Sequence, residues 1–340
     1  MDKDRRIAES VPNFSEGRDP VIIGKIADEI GKIGGVRLLH VDRGEAANRT
    51  VITFAGEPEA VCEAAFQATK KAGQLIDMRR QHGTHPRIGA TDVLPIVPVS
   101  GISLDECAIL SQKLAKRIAD EAHIPCYCYE AAALKPERRN LAFCRRGEYE
   151  AIPQKLADPE RRPDFGYRPY DEGIARTGCS VVGARDFLIA VNFNLNTKSV
   201  DMAKAIAYDI RESGWPKKRT TSEPDNQPKL SMKSTKAIGW YIDEYGIAQV
   251  SMNLTDISAA PLHKVYEAVS LCANRRGVSV TGTEIIGLLP ERVLLDAGRH
   301  FLRDVSAPKE QALEAAIRSM GLDDLRPFDP RQKVIEYLLE

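Results

Sequence analysis

The stretch GARDFLIAVNFNLN (183–196) is a near-continuous apolar run, which is typical of a buried strand. A helix is predicted after it, at 199–213, and TKAIGWYIDEYGIAQVSMNL (235–254) has the pattern of a β-hairpin. A proline then opens a helix at 261–276, and GVSVTG (277–282) has the pattern of a strand. The second half of the chain therefore has the order strand, helix, strand, strand, helix, strand.

The first half has the same order. Its predicted elements are a strand at 7–14, a helix begun by Asp19 and Pro20, strands at 36–42 and 49–56, a helix at 58–76 and a strand at 92–99. A further helix at 103–122 and the strand PCYCYE (125–130) extend this half, and helices at 290–304 and 308–320 complete the other.

The doubled order is that of the split β-α-β unit of ferredoxin-like domains. It predicts an α+β protein made of two related ferredoxin-like subdomains, each with helices packed on one face of an antiparallel sheet. We assign the first subdomain to residues 1–180 and the second to 181–340. Such a duplication predicts a cleft between two similar lobes, where small ligands usually bind.

Composition narrows the functional class. The 340 residues are 43% hydrophobic and 28% charged, and the 48 basic residues equal the 48 acidic ones, which argues against nucleic-acid binding. The N-terminal sequence has no apolar leader, and no apolar run is long enough to span a membrane. Seven scattered cysteines without a CxxC motif indicate reduced thiols, so we expect a cytoplasmic protein.

Two segments rich in proline and charged residues look irregular. The segment 156–178 lies at the junction of the two halves, where a long structureless segment is more often functional than not. The segment 213–229 is better explained as a solvated surface linker.

The loop RRQHGTHPRIGA (79–90) concentrates ionisable side chains before an apolar strand. The chain has no glycine-rich phosphate loop, zinc-ligand series or serine-nucleophile turn, so histidine acid–base chemistry is favoured. Pro86 holds His85 away from helical geometry. A metal site at His82 and His85 is disfavoured because no third ligand has a suitable spacing. The remaining histidines, which lack chemically useful neighbours in sequence, are assigned structural roles: His40, His123, His263 and His300.

The loop of the first hairpin, HVDRGEAANRTV (40–51), is the second dense polar cluster. A solvated turn explains it as well as a functional site does. Asp42 and Arg49 are the better functional candidates because they lie at strand ends, where side-chain directions are fixed.

Four stretches together closely resemble the formiminotransferase domain of formimidoyltransferase-cyclodeaminases. They are VPNFSEGRD (11–19), HVDRGEAANRTVITFAG (40–56), QLIDMRRQHGTHPRIGATDVLPIVPV (74–99) and RDFLIAVNFNLNT (185–197), and the resemblance continues to PFDPRQKVIEYL (327–338). It implies two ferredoxin-like subdomains with folate between them, which agrees with the duplication.

The resemblance implies transfer of a formimidoyl group between N-formimidoyl-L-glutamate and tetrahydrofolate in histidine degradation, giving 5-formimidoyltetrahydrofolate and L-glutamate. Tetrahydrofolate would be a co-substrate, and no metal is required. The catalytic histidine of the family lies in an HPR motif, which makes it His85 here. Asp42 is predicted to orient or charge-stabilise His85, and Arg49 or Arg87 to bind a glutamate carboxylate.

The first strand of each half also carries an asparagine near its end, and we assign both asparagines, Asn13 and Asn192, to substrate binding. The family's folate-binding loop follows the sequence PDFG, here 163–166, and this chain departs from the bifunctional members in that loop. The residues assigned to folate binding are Gly166, Tyr167, Arg168, Pro169, Tyr170, Asp171, Glu172, Gly173, Ile174, Ala175, Arg176, Thr177 and Gly178.

Because the net charge is zero, folate carboxylates require a local basic patch. The candidates are Arg161, Arg162, Arg168 and Arg176 near the junction, and Lys217, Lys218 and Arg219 in the second irregular segment. The family suggests a homodimer and a polyglutamylated folate, and we expect no cyclodeaminase activity. Formyl transfer, recycling of 5-formyltetrahydrofolate and folate binding without turnover remain alternatives.

Overall fold

The computed structural model describes residues 6–45, 47–83, 86–215 and 230–339. The chain forms two compact units, Met1–Asp186 and Phe187–Glu340. Together they hold two sheets with helices, so the fold is mixed α+β.

In the described residues of the first unit, seven strands form one sheet. They are β1 (Ile7–Ser10), β2 (Asn13–Phe14), β3 (Val36–Gly44), β4 (Arg49–Gly56), β5 (Thr91–Ser100), β6 (Cys126–Glu130) and β7 (Ser180–Ala184). β1 and β2 both pair with β4 on one side and β5 on the other, so they act as one interrupted strand. The antiparallel part has the order β3, β4, β1 with β2, β5.

The sheet continues beyond β5 with β7 and then β6, which run parallel to β5. The expectation of a purely antiparallel sheet is therefore wrong for this unit. In the register, Tyr127 lies beside Val181, and Val181 beside Val93, and all three are buried. The added strands are thus joined to the sheet by apolar cross-strand contacts.

Three long helices cover one face of this sheet: α1 (Pro20–Gly31), α2 (Pro58–Leu75) and α3 (Leu104–Glu121). The predicted start of α1 is confirmed, because the Asp19 side chain accepts from Val21 N at 2.8 Å and Pro20 is the first helical residue. Ser103 and Glu106 form a capping box at the start of α3.

Three short helices lie on the opposite face: α4 (Leu141–Arg145), α5 (Ile152–Ala157) and α6 (Glu172–Thr177). Ile152 and Ile174 pack there with Tyr127 and Val181 in a second, smaller core. The expectation that 156–178 is structureless is therefore wrong at α6. This helix forms because Asp171 caps it and buried Ile174 anchors it.

In the described residues of the second unit, four antiparallel strands form one sheet in the order β11, β8, β10, β9. The elements are β8 (Ile189–Leu195), α7 (Val200–Ile210), β9 (Thr235–Ile242), β10 (Ile247–Leu254), α8 (Leu262–Arg275), β11 (Val280–Ile286), α9 (Glu291–Leu302), α10 (Lys309–Met320), α11 (Pro330–Lys333) and α12 (Ile335–Leu339). The predicted hairpin is β9 with β10, and the order strand, helix, strand, strand, helix, strand is confirmed in both units.

The run 183–196 does not form the single strand predicted for it. Gly183 and Ala184 end β7, which pairs with β5 and β6 in the first unit. The charged residues Arg185 and Asp186 interrupt the apolar pattern, and β8 begins only at Ile189.

Two further observations concern the described residues. None of the described helices combines the length and the apolar character that a membrane span requires. None of the seven cysteines, all of which are described, forms a disulfide, and six of them are buried.

Candidate active site

The histidine-bearing loop, residues 79–90, leaves the core at the 3₁₀ helix Met78–Arg80. His82 is exposed at its surface. Thr84 and His85 lie outside the described residues, so the catalytic role of His85 stays a prediction. The site is accordingly built from the residues that flank and hold this loop.

Asn48, in the loop of the first hairpin, contacts the histidine-bearing loop directly. Its Nδ2 donates to Gln81 Oε1 at 2.5 Å and to the backbone oxygen of His82 at 3.1 Å. Its Oδ1 accepts from Gly17 N at 3.0 Å. The hairpin loop is therefore hydrogen-bonded both to the histidine-bearing loop and to the turn after β2.

Glu16 holds the other side of Gln81. Gln81 Nε2 donates to Glu16 Oε2 at 3.0 Å. Glu16 Oε1 accepts from the backbone N–H groups of Arg18 and Asp19 at 2.7 and 2.9 Å. Although Glu16 is only 5% exposed, both of its carboxylate oxygens therefore have donors.

Asp42, Arg49 and Asn13 lie on one face of the first sheet. Asp42 is opposite Val51, and Val51 is opposite Asn13 across the next pair of strands. Directly opposed residues point to the same face, and Arg49 shares it because it lies two residues before Val51. The structure thus brings three of the predicted site residues together.

Arg49 is half-buried and electrostatically coupled to two carboxylates. Burial lowers the pKa of its guanidinium to about 10, whereas Asp92 and Asp42 act in the opposite direction. Arg49 is therefore still a cation at neutral pH. Asp92 is itself ion-paired with Arg145.

Asn13 carries a buried polar atom with an unused hydrogen-bonding capacity. Its Nδ2 donates to Val11 O at 2.9 Å, and the residue is 7% exposed. Within the described part of the chain, its Oδ1 has no donor. A buried acceptor without a donor is costly, so this atom is suited to a donor supplied by a ligand.

The Arg87 guanidinium forms hydrogen bonds and ion pairs with groups of the first unit. Its guanidinium donates to Glu150 at 2.6 and 3.2 Å, to Gln81 O at 2.9 Å, and pairs with Glu148 at 3.4 Å. Burial lowers the pKa of Arg87, but the two glutamates outweigh it and the pKa is raised. These contacts tie the histidine-bearing loop to residues 148–150. Recognition of a substrate carboxylate by Arg87 stays a prediction.

The predicted folate segment, residues 166–178, divides into an outward part and an inward part. Tyr167 and Tyr170 are 44% and 43% exposed, and Arg168 Nε donates to Asp171 Oδ2 at 2.7 Å. Most of residues 167–173 are exposed. Ile174, in contrast, is fully buried, and Ala175 and Gly178 are buried as well, whereas Arg176 is exposed.

The inward part joins the histidine-bearing loop. Ala90 N donates to Thr177 O at 2.8 Å, and just before the inward part Glu172 forms an ion pair with Arg79. Gly178 has a φ of 67°, and a Cβ there would lie 2.3 Å from the backbone oxygen of Ile88. Only glycine satisfies both conditions, so this close approach depends on it.

Asn192 lies on the sheet of the second unit. Its Nδ2 donates to Glu284 Oε2 at 2.9 Å. Beside it, Gln249 Nε2 donates to Asn194 Oδ1 at 2.8 Å, and Asn194 Nδ2 donates to Asp324 Oδ2 at 2.9 Å. These polar side chains are mutually hydrogen-bonded, and the substrate-binding role of Asn192 stays a prediction.

Sequence reasoning missed two members of the network around the histidine-bearing loop. Glu16 and Gln81 lie in two of the stretches that carry the resemblance, but they are 65 residues apart in the chain and no local pattern pairs them. Asn48 belonged to the polar cluster but was passed over for Asp42 and Arg49. The residue type could have singled out Asn48, because asparagine is enriched at turn positions with a positive φ. Asn48 has a φ of 49°.

Two further histidines, His263 and His300, form a pair within the second unit. The rings of His263 and His300 stack with centroids 4.5 Å apart, and His300 Nε2 is 2.7 Å from Glu267 Oε1. Burial, followed by the neighbouring His300, lowers the pKa of His263. Among the described residues, no group of three or more His, Cys, Asp or Glu side chains is arranged to hold a metal ion.

Comparison with known proteins gives two family matches that together cover most of the chain. Residues 7–185 match the N-terminal subdomain of the formiminotransferase domain, and residues 190–340 match the formiminotransferase domain.

Individual relatives agree with these matches. The chain is 42% identical to the formimidoyltransferase-cyclodeaminase of Gallus gallus over 98% of its own length and 60% of that protein's length. It is 40% identical to the glutamate formimidoyltransferase of Streptococcus pyogenes serotype M1 over 88% of its own length and 94% of the relative. The glutamate formimidoyltransferase of Thermoplasma acidophilum is 36% identical, with 92% of that protein covered. The chain belongs to the formiminotransferase domain family.

Proposed function

We propose that this chain transfers a formimidoyl group between N-formimidoyl-L-glutamate and tetrahydrofolate, as a glutamate formimidoyltransferase. The observation that carries the proposal is the meeting of three segments in the first unit. Asn48 bonds the hairpin loop to the histidine-bearing loop, and Thr177 bonds the predicted folate segment to the other end of that loop. A proton-transfer group and a folate-binding segment would therefore be neighbours.

The reaction forms a bond from the acceptor nitrogen, N5 of tetrahydrofolate, to the formimidoyl carbon. It breaks the bond from that carbon to the nitrogen of glutamate. The acceptor nitrogen loses a proton, and the departing nitrogen gains one. A histidine with a pKa near neutrality can accept the first proton and donate the second, and we assign both steps to His85.

Asp42, Arg49 and Asn13 would serve this reaction from the sheet face that they share. The cationic Arg49 suits a carboxylate of the glutamate moiety. Asn13 Oδ1 suits a donor of the substrate, because its acceptor capacity is unused among the described residues. Asp42 would orient or charge-stabilise His85.

The outward part of the folate segment fits a planar aromatic ligand better than the inward part. Tyr167 and Tyr170 are partly exposed aromatic side chains suited to stacking, and the guanidinium of Arg162 already lies over the Tyr167 ring. Ile174 is fully buried in the core of its own unit, so its contribution would be to support the segment. We therefore propose that residues 167–173 contact the folate and that 174–178 hold them in place.

We further propose that the antiparallel core of each unit is ferredoxin-like. Each core has the strand order fourth, first, third, second, with one helix after the first strand and one after the third. The subdomain carrying the catalytic histidine would be the first. The predicted cleft, homodimer, cytoplasmic location and polyglutamylated ligand stay predictions.

The deciding experiment offers purified protein tetrahydrofolate together with N-formimidoyl-glutamate, and separately with N-formyl-glutamate. We expect turnover that favours the formimidoyl donor. A preference for the formyl donor would instead establish formyl transfer. Binding of tetrahydrofolate by titration, without turnover of either donor, would leave a folate-binding protein. Conversion of 5-formyltetrahydrofolate without any glutamate acceptor would indicate a recycling enzyme.

A further inference from the structure

The loop of the first hairpin is enclosed by two glycines from other loops. A Cβ on Gly17 would lie 2.3 Å from the backbone oxygen of Gly44, and a Cβ on Gly83 would lie 2.1 Å from that of Ala47. Both distances are far inside van der Waals contact, so any other residue would push the backbones apart. The turn after β2, the hairpin loop and the histidine-bearing loop are thus in backbone contact.

The Asn48 side chain lies at the centre of this contact. It is 5% exposed, and its amide bonds to Gly17, Gln81 and the backbone of His82. The Asn48 backbone has a φ of 49°, which asparagine adopts more readily than most residues. A side chain bonded to three separate partners restrains their relative positions.

The hydrogen bonds have a defined direction. At one end Glu16 can only accept, so Gln81 must turn its Nε2 toward Glu16 and its Oε1 toward Asn48. At the other end Gly17 N can only donate, so Asn48 must turn its Oδ1 toward it and its Nδ2 toward Gln81. Both ends therefore require the same amide orientations.

We propose that Asn48, Gln81 and Glu16 are positioning residues that fix the arm of the loop carrying His85. This inference rests on the proposed transferase function. The three residues hold residues 81–83, and His85 follows only two residues after Gly83. Since a displacement of about 1 Å at a reacting group can cost about 10²-fold in rate, loosening this arm should lower kcat.

The test reverses the direction of the hydrogen bonds. Asn48→Asp removes the donor to Gln81, and Glu16→Gln introduces a second donor facing Gln81. Each variant alone leaves one unfavourable contact, because Gln81 cannot satisfy both neighbours. In the double variant Gln81 can turn over, donate to Asp at 48 and accept from Gln at 16. The contact with the backbone oxygen of His82 is not restored.

We expect each single variant to lower kcat about 10- to 100-fold, with the Kd for tetrahydrofolate within about threefold of the parent. The double variant should recover part of kcat instead of combining the two losses. Asn196→Gly is the matched control, because Asn196 bridges to Ser279 N at 2.8 Å in the second unit, and its kcat should be unchanged.

Three outcomes would overturn the proposal: parental kcat in both folded single variants, losses that multiply in the double variant, or an equal loss in Asn196→Gly. If Asn48→Asp fails to fold, Asn48→Gly tests the same contacts, since glycine tolerates the positive φ.

Hydrogen exchange separates failure of this inference from failure of the proposed function. If the parent protein shows no turnover, the proposed transferase function is refuted. Faster exchange at residues 81–83 in the single variants, restored in the double variant, would still establish the positioning network. If the parent turns over substrate but the single variants exchange at the parental rate at residues 81–83, only the positioning role of the network is refuted.

Discussion

Arg49 and Arg87 illustrate at the residue scale how position in the fold decides what an arginine can do. Arg87 bonds to two glutamates and a backbone oxygen of its own unit, so its guanidinium already has carboxylate partners. Arg49 lies half-buried on the sheet face shared with Asp42 and Asn13, with its pKa lowered to about 10. Arg49 is the better proposal for a ligand of a substrate carboxylate because of this shared face, and not because it lacks partners of its own, since Asp92 and Asp42 both act on it.

We predict that His85→Ala lowers kcat far more than His82→Ala, by roughly the 10²- to 10⁴-fold typical of general acid–base groups. His82 is exposed, and its backbone oxygen, not its imidazole, bonds to Asn48, so its substitution should matter less. Steady-state kinetics of both variants, with circular dichroism to check folding, provide the measurement. Equal losses, or a larger loss at His82, would contradict the assignment.

A buried lysine gives a residue-scale prediction about pH. Lys155 is 3% exposed, and its Nζ donates to the backbone oxygen of Cys144. Burial lowers its pKa from 10.5 to about 8. Between pH 8 and 10.5 the unfolded chain therefore binds more protons at this residue than the folded chain does, so its contribution to stability rises with pH.

The measurement is the free energy of unfolding of the parent minus that of Lys155→Met, from urea titrations at pH 7.5, 9 and 10. We expect this difference to increase with pH, by at most about 1.4 kcal/mol per pH unit. The subtraction is needed because buried thiols such as Cys107, whose pKa is raised to about 12 by burial, act in the opposite direction in both proteins. A difference that is flat or falls with pH would contradict the lowered pKa.

At the element scale, short helices and turns support the candidate site as much as the long helices do. The end of α6 is joined to the loop at 88–90, because Ala90 N donates to Thr177 O at 2.8 Å, and just beyond the helix Cys179 N donates to Ile88 O at 3.0 Å. Tyr149 adds a hydrogen bond from its hydroxyl to Ala175 O. The predicted folate segment is consequently anchored at its C-terminal end, whereas its preceding residues, 167–173, are mostly exposed.

This division predicts where folate should change hydrogen exchange. Addition of tetrahydrofolate should slow exchange at residues 167–173, where the ligand would cover exposed chain. It should change residues 174–178 little, because amides such as Ala175 N and Gly178 N already donate to helical partners at 2.9 and 2.7 Å. α10 in the second unit provides the internal reference. Protection elsewhere, with 167–173 unchanged, would move the folate site away from this segment.

At the scale of the whole molecule, the balance of charge is informative. With 48 basic and 48 acidic residues, the chain has no net field to attract an anionic folate, so binding must depend on local cations. Of the predicted basic residues, Arg162 stacks on the Tyr167 ring at 4.1 Å and Arg168 pairs with Asp171. Lys217, Lys218 and Arg219 lie outside the described residues.

We predict that neutralising Lys217, Lys218 and Arg219 together weakens binding of a long polyglutamate tail more than binding of the monoglutamate. Only the long tail carries extra carboxylates for these cations to attract. The difference should shrink at high salt, because exposed charges are screened beyond about 10 Å at 0.1 M. Titrations of both ligands at two salt concentrations provide the measurement. Identical effects on the two ligands would indicate that the segment is a linker and does not bind the polyglutamate tail.

Local patterns were enough to predict most elements and their repetition. The periodicity of apolar residues and the helix-start signals at Asp19 and Pro20 act between residues close in sequence, so they can be recognised without knowledge of the fold. The strand predicted at 183–196 failed because an apolar run does not reveal which sheet each part joins. The helix α6 was not predicted because Ile174 has a reason to be buried only once β6 and β7 lie beneath it.

The sequence by itself determined the α+β class, the two-fold repeat and the residue types available for acid–base chemistry. Only the tertiary structure decided which of those residues meet. Glu16, Asn48 and Gln81 are distant in the chain, and no local pattern links them, yet β2, β4 and the loop before β5 place them within hydrogen-bonding distance. The physical reason is that hydrogen bonds act over about 3 Å of space, whatever the separation of their partners along the chain.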